Sequence, residues 1–186
     1  MGKVILGATM SLDGFINDRN GSVELLYPDL EGWRYTEAGR ESIQNTGAVV
    51  MGRNSFAMAE DPDSIADDYE YQVPIFVLTH LPPERHPKEN DRLSFTFVTD
   101  SIQSAIAQAK VAAGDKDVNV IGGASTTAQC LKAGLADELH VDIMPVLLGG
   151  GLRFFEYLDH PSIRLQRIRV LELPGGRTHL RFRVLK

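Results

Sequence analysis

Two periodicities alternate along this chain. Short apolar runs with β-branched character recur at KVILGATM (3–10), AVVM (48–51), VPIFVLT (73–79), LSFTFVT (93–99) and DVNVI (117–121). Runs of this length, closed by Gly, Pro or Asp, read as buried strands. Between them lie stretches of looser, helical spacing. Residues 29–46 carry it through Leu30, Trp33, Ala38 and Ile43. Residues 100–114 open on Asp100, a candidate N-cap, and close on Gly114, the usual helix punctuation. Residues 124–134 form a third helical stretch, and a short helix is expected from Arg53 or Asn54 to about Ala59. GFIND (14–18) reads as a further strand-like piece after the turn SLDG. DPDSIADDYEYQ (61–72) reads as a surface loop.

From about residue 137 the pattern changes. ELHVDIMPVLLGG (138–150) is long and β-like, with Pro145 inside it. SIRLQRIRVLEL (162–173) and THLRFRVL (178–185) are joined by PGGR, a hairpin-type turn. The first two thirds therefore read as βαβ units and the end as antiparallel β. The expected fold is α/β: one domain over residues 1–186, with a mixed, mostly parallel sheet, helices on both faces and an antiparallel C-terminal hairpin.

Composition narrows the function classes. The 186 residues are 43% hydrophobic and 24% charged, which is globular rather than disordered. The formal net charge is -6 and no basic block occurs, so the electrostatic footprint of a nucleic-acid binder is missing. No run approaches the ~18 apolar residues of a membrane span. The N-terminus reads as a first strand and lacks a signal-peptide core, so a cytoplasmic location is expected. The one cysteine, Cys130, excludes an intrachain disulfide and any Cys-rich zinc site. It sits on the apolar side of a helical stretch and reads as a buried, inert thiol.

Two junctions share one design. In AVVMGRNSF a buried strand meets Gly52, and a helix opens with Arg53, Asn54 and Ser55. In VIGGAST a buried strand ending at Ile121 meets Gly122 and Gly123, and a helix opens with Ala124, Ser125 and Thr126. Parallel strands present their C-terminal ends along one edge, where ligands bind. Helix N-termini offer free N–H groups and partial positive charge, and Arg53 adds a charged clamp. Two such sites suit a ligand with two phosphates, a dinucleotide being the natural candidate. Each turn also has a purely structural reading, and neither matches the G-x-G-x-x-G or Walker patterns. Thr79 and His80 end a strand at the same edge. No catalytic triad or metal motif is present, and His86, His140, His160 and His179 are scattered. The candidate acids are Asp13 in SLDG, Glu37 and Glu41 on one helix face, and Asp142. Asp142 interrupts an apolar strand (HVDIM), where an acid is costly unless paired or functional.

These motifs, taken in order, resemble the dihydrofolate-reductase-like superfamily, in particular stand-alone relatives of the reductase domain of riboflavin biosynthesis. ATMSLDGFI, VVMGRNSF, VIGGAST and ADELHVDIMPVLLGGGLRFF carry the resemblance over residues 3 to about 156. It implies an eight-stranded sheet, a homodimer and an NADPH-dependent reductase of a small heterocyclic substrate. The activity it most resembles is that of 5-amino-6-(5-phosphoribosylamino)uracil reductase. Dihydrofolate reduction and a non-catalytic nucleotide-binding role on the same fold are the alternatives. The resemblance implies that Gly52–Ser55 and the helix after Gly122–Gly123 face the cofactor's phosphates, and that this glycine pair is joined by a cis peptide. It implies that Leu78, Thr79 and His80 lie on the adenosine side and that Ala8 meets the nicotinamide amide, with Ile16 across the crevice. The acid that classical dihydrofolate reductases carry on the first long helix falls at Thr36, with Glu37 beside it. Asp13, Glu37 and Asp142 are the candidates for substrate contact and proton donation.

Overall fold

The computed structural model describes residues 2–159 and 162–186; His160 lies outside the described residues. Eight strands form one sheet: β1 (Val4–Ser11), β2 (Thr46–Gly52), β3 (Ile75–Leu78), β4 (Phe95–Val98), β5 (Asp117–Ile121), β6 (Glu138–Met144), β7 (Leu165–Leu173) and β8 (Arg177–Val184). Their order is β4-β3-β2-β5-β1-β6-β8-β7. The first six strands of that order run parallel. β8 runs antiparallel to β6, and β7 antiparallel to β8. The mixed, mostly parallel sheet and its C-terminal hairpin are as expected. The hairpin turns through Pro174–Gly176, where Gly175 and Gly176 take φ of 74° and 73°.

Side-chain alternation divides the sheet into two unlike faces. On one face Val4, Leu6, Val118, Val120, Leu139 and Val141 are buried in one apolar cluster. Helices α5 (Ile102–Ala113) and α6 (Ala124–Lys132) cover it with their alanine-rich sides. Cys130 is fully buried there. The other face is apolar only over β2, β3 and β4, where Val49, Met51, Ile75, Val77 and Phe95 pack with Phe56 and Ile65. Phe56 and Ile65 come from the short helices α3 (Arg53–Phe56) and α4 (Ile65–Asp68). Over β1, β5, β6 and β8 this second face is polar, and α1 (Leu30–Arg34) and α2 (Glu37–Asn45) stand beside it.

Several local expectations are corrected. GFIND forms no strand; Phe15 makes one isolated antiparallel bridge to Arg153. The turn before it is too tightly tied to extend, because the Ser11 hydroxyl accepts from Phe15 N at 2.9 Å. The single helix expected over 29–46 is two helices. Thr36 breaks it: its hydroxyl donates to Trp33 O and accepts from Gly39 N, so it caps α2. α5 is capped by Ser101, not Asp100, through a 3.1 Å bond from Ser104 N. β6 ends at Met144, since Pro145 cannot continue the ladder. The helix after Gly52 stops at Phe56 rather than Ala59. The 61–72 segment is not a plain surface loop: it holds a 3-10 turn (Pro62–Ser64) and α4, and it turns Tyr71 inward to 4% exposure.

Candidate active site

The polar half of the second face is the floor of a cavity of about 680 Å³, counting its open mouth. Ile5, Gly7 and Thr9 of β1 lie at its centre, flanked by Asn119 and Ile121 of β5. On the other side stand His140 and Asp142 of β6, then Arg177 and His179 of β8. Strand register explains the grouping: Thr9 pairs with Asp142, and Asp142 with His179. The roof comes from Tyr27, Trp33, Ala38 and Ser42, closed by Glu70 and Tyr71.

Asp142 solves the puzzle of an acid in an apolar strand by being paired twice. Its carboxylate meets His179 Nδ1 at 2.6 Å and Arg177 at 3.3 Å, all three residues being buried. Arg181 Nε lies 2.9 Å from His179 Nε2. A guanidinium can only donate, so His179 Nε2 accepts and Nδ1 carries the proton given to Asp142. Arg181 continues to Glu41 at 2.6 Å. That bond, with Arg169 nearby, holds the Glu41 carboxyl below its ordinary range. Burial pushes the His140 imidazole below its ordinary value, opposed by its bond to Glu138. Burial pushes the Tyr27 and Tyr71 hydroxyls up; Tyr27 bonds to Thr9, and Tyr71 to Ser42 and Asn119. Burial also raises the Glu70 carboxyl, with Arg34 opposing from 3.7 Å. Two buried polar atoms in this wall have no partner: Trp33 Nε1 and Asn119 Oδ1.

The three glycine-and-hydroxyl strand ends stand side by side, because β3, β2 and β5 are neighbours. The junctions meet through Thr126. A Cβ on Gly52 would come within 2.5 Å of Thr126 Oγ1, and one on Gly122 within 2.8 Å of Thr126 Cβ. These two glycines therefore admit a helix side chain between the strand ends. Gly123 is different: the nearest atom to its Cβ position is Ile16 Cδ1 at 4.0 Å, so its surface is open toward the crevice. It is the N-cap of α6 and brings no side chain to cap the helix. No described peptide bond is cis, so the cis Gly122–Gly123 bond implied by the resemblance is corrected to trans. Gly122 remains at a sharp strand-to-helix turn because Thr126 occupies the space a side chain would need.

The remaining candidates separate. Ala8, Ile121 and Asp142 line the cavity. Arg53, Asn54 and Ser125 are exposed, while Ser55 is half-buried. Ala124 and Thr126 are buried. Leu78 packs against the core. Thr79 is buried and its hydroxyl closes the turn to Leu81, beside an exposed His80. Glu37 is exposed and paired with Arg169 at 2.7 Å, outside the cavity lining. Asp13 also lies outside it. Its carboxylate accepts from the Ser11 hydroxyl at 2.6 Å, Leu148 N at 3.1 Å and Gly149 N at 2.8 Å. Chiefly through Ser11, these bonds lower its pKa to about 2, so it holds no proton to give near neutrality. The residues that sequence reasoning passed over are Trp33, Glu70, Asn119 and the Arg177–His179 pair. Asn119 had a signal: like Asp142, it interrupts an apolar strand (DVNVI). Arg177, His179 and Arg181 had one too, since they alternate along one strand face.

Comparison with known proteins agrees with this architecture. The chain is 28% identical over 159 residues to the uncharacterized protein YyaP of Bacillus subtilis (strain 168), covering 82% of this chain and 80% of that one. A crystal structure from Shewanella sp. PV-4, provisionally assigned to riboflavin biosynthesis, superposes with a TM-score of 0.78 at 25% identity, covering 99% of each chain. Dihydrofolate reductase from Enterococcus faecalis shares the fold at a TM-score of 0.64 and 14% identity, covering 100% of this chain and 98% of that one. The model of the RibD C-terminal domain matches residues 2–177, and the chain belongs to that family.

Proposed function

We propose that this protein is an NADPH-dependent reductase of a small heterocyclic substrate, the activity most similar to that of 5-amino-6-(5-phosphoribosylamino)uracil reductase. The observation that carries the reading is the adjacency of two sites. The strand ends at Gly52, Leu78 and Ile121 stand side by side on one edge of the sheet, and the cavity reaches Ala8 and Ile121 on that edge. The residues fit a dinucleotide. Gly123 leaves open space at the uncapped N-terminus of α6, where N–H groups favour an anion. Arg53 stands exposed, with no acid paired to it among the described residues.

The cofactor, when bound, supplies the hydride. The chain's own residues do the rest. Gly123, Ser125 and Arg53 would hold the phosphates, and Ala8, Ile16 and Ile121 would border the nicotinamide. The polar floor around Thr9 and Asn119 would orient the acceptor. Asp142, fixed by His179 and Arg177, is the candidate acid nearest the substrate space. Dihydrofolate is disfavoured as substrate: Thr36 is spent on capping α2 and Glu37 on Arg169.

NADPH titration tests the reading, followed by its own fluorescence and by thermal shift. Ligand at 100 times its Kd stabilises by ~2.7 kcal/mol, so a clear rise in Tm is expected. Arg53→Ala should weaken binding at least tenfold, as for one lost charged contact of ~1.5–3 kcal/mol. No stabilisation at ~1 mM NADPH would sink the proposal.

A further inference from the structure

We infer that Glu70 is the general acid of this site: its carboxyl gives a proton to the substrate atom bonded to the carbon that takes the hydride. The inference rests on the reductase reading and fills the role of proton donor within it. Two carboxyl side chains line the cavity among the described residues, Asp142 on the floor and Glu70 in the roof. Hydrogen-bond direction separates them. The Arg181 guanidinium donates to His179 Nε2 at 2.9 Å, so the imidazole proton sits on Nδ1 and is given to Asp142 Oδ1 at 2.6 Å. Arg177 donates to the other oxygen, Oδ2, at 3.3 Å. Both oxygens of Asp142 thus already accept, and it stays beside the substrate as an acceptor, suited to orient an N–H or O–H group. His140 is bonded to Glu138. Burial makes the Tyr27 and Tyr71 phenols weaker acids than usual.

Glu70 is in the opposite condition. Its side chain is 12% exposed, and its ion-pair partner Arg34 stands at 3.7 Å, beyond hydrogen-bond distance. That guanidinium turns its terminal nitrogens to the Asp68 carboxylate, at 2.9 Å, and to the Asp68 main-chain carbonyl, while its Nε has no partner. The other groups felt around Glu70 are Asp68, Tyr27, Tyr69 and Tyr71, none of which brings positive charge. Burial therefore outweighs its own main-chain N–H and Arg34, and holds the Glu70 carboxyl above its ordinary value of 4.5. The Tyr27 and Tyr71 hydroxyls feel both Glu70 and Asp142, which places the two carboxyls around one shared space. A substrate filling that space would exclude water and push Glu70 further the same way. One carboxyl kept as acceptor and one holding its proton is the division that acid catalysis needs. In the step itself, the carbon of a C=N or C=O bond takes the hydride with its electron pair. The π pair moves to the nitrogen or oxygen, and that atom takes the Glu70 proton. The substrate gains two electrons, the cofactor loses them, and water returns a proton to the Glu70 carboxylate.

Two measurements on the full protein test this role. The first needs no turnover: ¹³C NMR of glutamate-labelled protein follows each carboxyl with pH. The resonance missing from Glu70→Gln should titrate above 4.5. The second follows NADPH oxidation with 5-amino-6-(5-phosphoribosylamino)uracil as substrate. Because the acid works only while protonated, kcat should fall as the pH rises through the value found for Glu70. Glu70→Gln should cut kcat roughly 10²–10⁴-fold and remove that pH limb, with KM and NADPH affinity little changed. Glu70→Asp should recover part of the loss. An unaltered or higher Tm shows that Glu70→Gln is folded, since it only removes a buried charge. The inference is overturned if Glu70→Gln keeps the wild-type kcat, or if the Glu70 resonance titrates at or below 4.5. NADPH fluorescence keeps the two readings apart. A protein that neither binds nor oxidises NADPH loses the reductase reading and this role with it. One that turns over with an ordinary Glu70 titration loses this role alone. If NADPH binds and this uracil is not reduced, the reading fails at its substrate, and the ¹³C titration decides for or against Glu70 as the acid.

Discussion

At the residue scale, two acids take opposite roles for physical reasons. Asp13 is a staple: it joins the 11–14 turn to the main chain at 148–149, and its pKa is lowered to about 2. A carboxyl lowered from 3.8 in the unfolded chain contributes stability that is fully present above about pH 4. That contribution is lost as the pH falls toward 2. Asp13→Asn should therefore flatten the stability profile between about pH 4 and pH 2, measured by urea unfolding. Parallel curves for the two proteins would refute the assignment. Asp142 is instead a buried hub. Asp142→Ala strips both Arg177 and His179 of their acid and should cost ~3–5 kcal/mol, read from the same unfolding experiment. A loss under about 1 kcal/mol, the scale of a surface pair, would show the hub to be dispensable. Cys130 carries a thiol that burial pushes up to about 12. It should resist iodoacetamide at pH 8 in the native state and react only on unfolding.

At the element scale, the strand-to-helix junctions make a prediction with internal controls. Gly52→Ala and Gly122→Ala should each destabilise by ~1–3 kcal/mol, because each new Cβ collides with Thr126. The two respond differently to a second change. Gly52 is limited by Thr126 Oγ1, so Thr126→Ala should rescue Gly52→Ala. Gly122 is limited by Thr126 Cβ, which Thr126→Ala retains, so there the rescue should fail. Double-mutant cycles on Tm measure this coupling directly. Rescue of neither would mean that Thr126 does not fill the junction, and rescue of both would mean that Thr126 Cβ is not what limits Gly122.

At the scale of the whole molecule, the sheet was legible where the chain repeats a period. β1, β2, β3 and β5 are apolar runs of the kind that parallel strands need, and the terminal alternation announced β7 and β8. What escaped was built from long-range contact. Glu70 sits in a polar stretch whose composition resembles any surface loop; only its return beneath α1 turns it inward. Asp13 looked available because nothing local shows that Leu148 and Gly149, some 135 residues away, will donate to it. The expected homodimer also belongs to this scale. β7 is an edge strand with Leu165, Ile168 and Val170 each more than 40% exposed. An open edge of this kind can pair with another chain. Light scattering should give twice the 20.5 kDa chain mass, and charged residues at Ile168 and Val170 should shift it toward the monomer. A dimer unmoved by those changes would place its interface elsewhere.

The position of β1 has a consequence for the living cell. It precedes the other strands of its sheet, yet its neighbours β5 and β6 are encoded more than a hundred residues later. At about 5–20 residues per second, the ribosome takes on the order of ten seconds to deliver them. Throughout that interval Val4 and Leu6, which end fully enclosed, have nothing to pair with on either side. Nascent β1 is thus an unsatisfied strand with two open edges. Until Met144 has emerged, the backbone edges of VILGATM can be satisfied only by water or by something outside this sheet.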